Sequence, residues 1–307
     1  MPVTTANPLL KGEGLPPFPA IKPEQVVPAF EELLPELQQQ LTELEETLTP
    51  SWSGLVEPLT SISERLEWSW GIVSHLMGVQ NSDELRTAYE TIQPKLIEFT
   101  SRIGQSQSIY GGFKALQASS DWSTFESAQK RIVESAVRNA ELAGVGISGE
   151  PQTRFNQIQK RLAELSTQFS NHVLDSTKAF KLKLTAPQDV AGLPPSSLSL
   201  AAQTARQEGD EAATPESGPW VFTLDYPSYI PFLQHNQNSR LREKLYRAFV
   251  SRAASGELDN RALIEEILTL RQEKANLLGF QTFAELSLAR KMAPNVEAIE
   301  TLSEELR

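Results

Sequence analysis

The sequence predicts a mainly α-helical protein, an antiparallel multi-helix lobe with a small β insertion at about residues 180–225. Three observations point there. Apolar residues recur every three or four positions through most of the chain, which places them on one face of a helix. Only two short stretches, 180–185 and 220–225, switch to the patterning of strands. Of the 307 residues, 39% are hydrophobic and 22% charged, so the chain can bury a core and is not globally disordered. At roughly 100–200 residues per domain, the length allows two domains or one large one.

Each element has a local cause. Val26, Phe30, Leu33, Leu37, Leu41, Leu44 and Leu48 share one face and define the first helix. Pro23 suits a first turn, because its missing N–H has no helical partner there. Pro28 and Pro35 lie further in and predict a late start or a kink. The segment 24–50 holds seven Glu and no Lys or Arg, which reads as a solvated acidic face. A second helix is expected over about 53–77, with Leu55, Leu59, Ile62, Leu66, Trp70, Val73 and Met77 inward. Ser82 is a good N-cap for a third, which runs to about Ile103 through Leu85, Tyr89, Ile92, Leu96 and Phe99. Ser123 is expected to cap a fourth, ending at Ala143 with Gly144 as the left-handed residue beyond it. A fifth, long helix takes 151–178, with Phe155, Ile158, Leu162, Leu165 and Phe169 inward. Such spacings demand helices packed on one another.

FKLKLT at 180–185 and WVFTLD at 220–225 are the two strands. Between them PPSSLSLAAQTARQEG has room for one short helix, and DEAATPESGP is a polar loop. Helices resume after Pro227. NSRLREKLYRAFVSRA, 238–253, is amphipathic and more basic. DNRALIEEILTLRQEKANLLGF, 259–280, has Asp259 as N-cap and Gly279 as C-cap. A last helix begins near Pro294 with Val296, Ile299, Leu302 and Leu306. It reaches Arg307 without a stop signal, so the natural protein is expected to continue. No period of about 33–45 residues recurs, which argues against a solenoid.

Composition excludes several chemistries. The chain carries 28 Lys and Arg against 39 Asp and Glu, a net charge of −11, and an acidic surface repels phosphate, so nucleic acid is not an expected partner. Cys is absent, which removes disulfides, thiolate zinc sites, iron–sulfur clusters and a Cys nucleophile. No apolar run approaches the ~18 residues of a transmembrane helix. The start, MPVTTANPLL, has neither a basic n-region nor an apolar h-region, so a cytoplasmic protein without membrane attachment is expected.

The three histidines, His75, His172 and His235, stand in neither HExxH nor Glu-x-x-His order and read as ordinary interface or surface residues. There is no GxSxG elbow. Gly144, Gly146 and Gly149 spell GxGxxG, but a helix precedes them where a dinucleotide site needs a strand, so they read as a helix stop and a turn. Neighbouring carboxylates such as Glu265–Glu266 and Glu304–Glu305 project about 100° apart on a helix and cannot act as a catalytic pair. Trp52, Trp68, Trp70 and Trp122 are assigned to packing. The sequence therefore names no catalytic residue, no metal ligand and no substrate-binding residue.

Several stretches nevertheless have a familiar form. SHLMGVQNSDELRTAYE at 74–90, NPLL at 7–10, FSNHVLDST at 169–177, LDYPSYIPFLQHNQNSRLREKLYRAFVSRA at 224–253 and DNRALIEEILTLRQEKANLLGF at 259–280 resemble the N-terminal part of the thimet-oligopeptidase family of zinc metallopeptidases. The likeness is collinear over nearly the whole chain. It implies the neurolysin-like two-lobed fold, incomplete here, with a deep channel that admits short peptides and excludes folded proteins. It also implies a zinc ion held by an HExxH helix and a later Glu, where zinc polarises the scissile carbonyl and acidifies its water. Those ligands lie downstream of everything matched here, so none carries over to this sequence, and no zinc is expected in this chain.

The resemblance divides the chain into an N-terminal extension (1–19), a helical domain (20–150), the long helix plus β insertion (151–225) and the truncated start of a catalytic peptidase domain (226–307). The expected role is to form one wall of the peptide channel and limit substrate size. Short peptides and the remaining C-terminal catalytic region are the expected partners, and the chain is expected to be inactive alone. Helices after residue 238 should leave an apolar stripe uncovered. The alternative is a stand-alone helical peptide-binding or scaffold protein without catalysis.

Overall fold

A computed structural model describes residues 7–307. Part of the extension expected over 1–19 lies outside them. The described chain is mainly helical, with one two-stranded sheet among the described residues. It forms two compact units: the chain up to Glu164 together with Leu270–Arg307, and Leu165–Thr269.

The first unit is built on α1 (Val26–Thr47), α2 (Glu57–Val79) and α3 (Asp83–Gly104). Val26, Phe30, Leu33, Leu37 and Leu41 are fully buried in α1, as the period requires. They meet Leu55, Ile62, Leu66 and Val73 of the second segment and Leu85, Ile92, Leu96 and Phe99 of α3 in one core. Because α1 begins at Val26, Pro28 falls in its first turn, where no N–H is needed. Pro35 sits inside the helix and deprives the Glu31 carbonyl of its usual partner. The Ser82 hydroxyl accepts from the Leu85 N–H at 3.2 Å and caps α3 as expected. Trp70 stacks on Tyr89 at 4.5 Å and meets Phe30 edge-on at 5.4 Å, and Trp52, Trp68 and Trp122 also pack on this core.

The expected fourth helix is α5 (Ser127–Leu142), and a further helix, α4 (Gln107–Gln117), precedes it in a stretch where the sequence predicts none. Ser123 is not a cap; it closes a 3-10 turn at Ser120–Ser123. The α5 N-cap is Glu126, whose N–H donates to the Gln129 side chain. The pair Gly111–Gly112 disguised α4, since glycine disfavours helices. Packing explains Gly112: a Cβ there would stand 2.7 Å from Leu48 Cδ2. Gly144 takes φ +88°, with the Val145 N–H returning to the Ala140 carbonyl, the hydrogen-bond pattern of a left-handed helix stop. Gly149, φ +66°, then leads directly into α6 (Glu150–Ala179). The GxGxxG spelling is thus a connection between two helices.

In the second unit, β1 (Leu182–Leu184) pairs antiparallel with β2 (Trp220–Phe222), Leu184 opposite Trp220. α7 (Pro195–Gln207) lies on β2, and Trp220, Phe222 and Phe232 centre the core. α8 (Tyr226–His235) and α9 (Ser239–Val250) follow. α10 (Arg261–Leu277) starts two residues after Asp259, so Asn260 takes the cap position, because its own side chain bridges Phe169 and His172. Asp259 instead accepts from the Arg261 N–H at 3.0 Å. Gly279, φ +82°, ends α10 as expected. α11 (Phe283–Leu288), a short helix capped by Thr282, was not foreseen; α12 (Val296–Leu306) was.

Candidate functional site

The histidines do not assemble a site. His75 is exposed on α2 with its ring 5.3 Å from Phe18. His235 is exposed at the end of α8. His172 Nδ1 lies 2.8 Å from Asn260 Oδ1, while Asn260, itself buried, donates to the Phe169 carbonyl at 3.1 Å. That arrangement pins a loop to α6 and leaves no convergent ligand set. Among the described residues no three His, Asp or Glu side chains group as a metal site would require, and the chain has no Cys. The donor set does not fit a zinc ion.

Two cavities lie along α3 of the first unit. One, of about 460 Å³, is lined by Phe30, Glu31, Leu34, Pro35, Gln38, Lys95, Glu98 and Phe99. The other, of about 380 Å³, is lined by Glu98, Ser101, Arg102, Gln105, Gln152, Asn156 and Lys160. Glu98 borders both. The first is apolar at its base, where Phe30 and Phe99 are buried. Its Gln38 Nε2 is buried and unbonded, a state that costs about 1–3 kcal/mol. The second is polar. Gln105 and Asn156 exchange amide hydrogen bonds at 2.7 and 3.3 Å, and Gln152 donates to Gln105 at 3.2 Å. Arg102 is held by Thr42 and Glu45, both at 2.9 Å, and Lys160 by Glu98 at 3.0 Å.

Nearby in the same unit, Lys274 is enclosed without a carboxylate. It donates to Gln159 Oε1 and stands 5.3 Å from the Phe155 ring centre. Burial pushes its pKa below the ordinary lysine value, and the charge of Arg290 adds to the effect.

Exposed apolar side chains are unevenly spread. Of the fourteen large hydrophobic residues most open to solvent, ten lie at or beyond Tyr226. They recur at helical spacing: Tyr226 and Ile230 on α8, Tyr246 and Val250 on α9, Ile264 and Leu268 on α10, and Ile299, Leu302 and Leu306 on α12. Residues three or four apart share a face, so each of these helices presents an apolar strip. Among the described residues before Tyr226, only Leu15, Phe18, Val79 and Ile132 are comparably open, and they follow no such spacing.

The uncovered strips were partly legible as stripes with no assigned partner. The two cavities were not, because Gln38, Lys95, Arg102 and Lys160 come from three helices and share no motif.

Comparison with known proteins bears on both halves of the chain. Residues 30–152 match the N-terminal domain of neurolysin/thimet oligopeptidase, and residues 232–307 match peptidase family M3. The chain is 46% identical over 303 residues to the probable cytosolic oligopeptidase A of Arabidopsis thaliana, covering 99% of this chain and 43% of that protein. It is 47% identical to the organellar, chloroplastic/mitochondrial oligopeptidase A of the same plant, covering 99% of this chain and 38% of that one. The Escherichia coli oligopeptidase A is 39% identical over 95% of this chain and 43% of its own length. The chain therefore spans less than half the length of these relatives. The two matched regions and the collinear identity agree, and the chain belongs to the oligopeptidase A group of peptidase family M3.

Proposed function

We propose that this chain is the non-catalytic N-terminal portion of a zinc-dependent oligopeptidase acting on short peptides. In this reading its helices form a wall of the peptide channel and restrict substrate size. The strips on α8, α9, α10 and α12 would dock against the remaining catalytic region. One observation carries the reading. The apolar side chains that lack cover are concentrated from Tyr226 onward, the part that matches peptidase family M3 at 232–307, whereas the part before it has a closed core. Exposed apolar strips of this extent mark surfaces that a partner covers. The domain limits 1–19, 20–150, 151–225 and 226–307 belong to the same proposal.

Division of labour follows from the chemistry. Metal, base and carbonyl-polarising groups must stand within a few ångströms of one bond to act on it. No described residues here offer that set, so this chain contributes burial, shape and exclusion. Among the described residues no helix is long and apolar enough to cross a membrane. A cytoplasmic setting is supported by one relative that is named cytosolic.

A fluorogenic oligopeptide assay tests the proposal. The purified 307-residue chain should give no chelator-sensitive turnover with added zinc. The same chain fused to the part of an oligopeptidase A relative beyond its match should give it. Chelator-sensitive turnover by the chain alone, or none by a folded fusion, defeats the proposal.

A further inference from the structure

We infer that Lys274 is a site of acylation by acyl phosphates, in which its amine takes the acyl group and the Arg290 guanidinium attracts the phosphate. The inference does not rest on the peptidase reading. Lys274, Arg290 and the residues named around them all belong to the first unit.

Isolation from negative charge is the first argument. Lys95, Lys160, Lys181 and Lys183 pair with Glu31, Glu98, Glu208 and Asp210, and such pairing keeps an amine protonated. Lys274 has no carboxylate partner among the described residues. Glu273, next to it in sequence, is committed to Arg154 through hydrogen bonds of 2.6 and 2.7 Å. What meets Lys274 is the amide oxygen of Gln159 and the ring of the buried Phe155. Arg271, one turn earlier on α10, is turned to the Phe283 ring at 5.0 Å. Arg290 stands close enough for its charge to act on Lys274. Enclosure without a counter-charge and a cationic neighbour both favour the neutral amine, which is the nucleophile. Lys274 is half-buried rather than sealed, so part of its side chain still faces solvent.

Arg290 is the second argument. It is exposed and has no carboxylate partner among the described residues. A guanidinium binds phosphate oxygens through two parallel N–H donors. In an acyl phosphate one oxygen joins the phosphate to the carbonyl carbon, so a phosphate held at Arg290 brings that carbon towards the neighbouring amine. A neutral acyl donor gains nothing from this contact.

The product is the third. Lys274 Nζ attacks the carbonyl carbon, a C–N bond forms and the C–O bond to phosphate breaks. Phosphate leaves with the bonding pair, and the nitrogen gives its proton to solvent. The resulting amide keeps one N–H for Gln159 Oε1 and carries no charge. An enclosed cation without a counter-ion is thus removed while its hydrogen bond is kept.

Treating the 307-residue chain with acetyl phosphate at neutral pH, and following each lysine by mass spectrometry, tests this. Lys274 should be acetylated at least about fivefold faster than the median lysine, and the lead should vanish in the urea-unfolded chain. Its rate should level off at a lower pH than the rate at the exposed Lys244. Arg290→Gln should slow Lys274 at least about threefold with acetyl phosphate, and much less with neutral N-hydroxysuccinimidyl acetate. A rate at Lys274 at or below the median of the folded chain, a lead that survives unfolding, or equal slowing of both donors by a folded Arg290→Gln would overturn the inference.

Discussion

Replacing Leu268 with Glu separates a docking strip from an ordinary exposed leucine. Leu268 is 59% exposed on α10, one turn from Ile264 at 42%. Fully burying a leucine is worth about 1.5–3 kcal/mol, so the share still open on Leu268 is worth about 1–2 kcal/mol by the same scale. In the chain alone that share is never collected. Glu is a good helix former, and Leu268→Glu should change stability by no more than about 0.5 kcal/mol. In a fusion carrying the rest of a family peptidase, the same change should cost at least the uncollected 1–2 kcal/mol, since it also sets a charge in an apolar seam. Urea unfolding of both proteins gives the two differences. Leu270→Ala is the control. At 7% exposure it should cost about 2–5 kcal/mol in chain and fusion alike. The reasoning fails if Leu268→Glu costs the chain as much as the fusion, or costs a folded fusion nothing.

Two further changes probe the scaffold. Gly192 has φ +89°, and a Cβ there would stand 2.3 Å from the His235 carbonyl oxygen; Gly192→Ala should cost more than about 2 kcal/mol in chemical denaturation, beyond the left-handed penalty alone, and a neutral result would contradict the loop geometry. Burial holds the pKa of folded Lys274 below that of an ordinary lysine, so between the two values the unfolded chain holds a proton that the fold has lost. Stability must therefore rise with pH across that window. Melting curves from neutral pH to about pH 10 should move in favour of wild type over Lys274→Met as pH increases; parallel curves would show that the lysine is not desolvated.

Helices were legible where one face did all the work. The stripes expected for α1 and α3 are buried except at Leu48 and Tyr89, which are half-buried, because packing on one side leaves a repeating mark. Reading failed where a contact outvoted propensity. Gly111 and Gly112 argued against a helix, yet α4 needs a bare backbone at Gly112 beside Leu48. Asn260 displaced Asp259 as the start of α10 because its side chain is used 91 residues away in sequence, at the Phe169 carbonyl. The two cavities along α3 left no mark at all: their donors and charges are single residues on α1, α3 and α6, each of which reads as an ordinary solvated position. A local pattern records what a helix buries, whereas a site of this kind records where separate helices meet.

The same distinction separates two ways in which substitutions in this chain can impair a longer peptidase. Changes at Leu33, Leu37 or Phe99 remove atoms from a closed core, so their cost belongs to the first unit and is already present in the 307-residue chain. Changes at Tyr246, Val250 or Leu268 touch side chains that are open here, so their cost appears only when something covers them. A core variant that folds should keep its turnover number and lose abundance on heating. A strip variant should lose turnover in proportion to the catalytic region it fails to hold in place, because a misplacement of about an ångström at a reacting centre already costs about a hundredfold in rate. Stability and rate would then fall along separate sets of residues, divided near Tyr226.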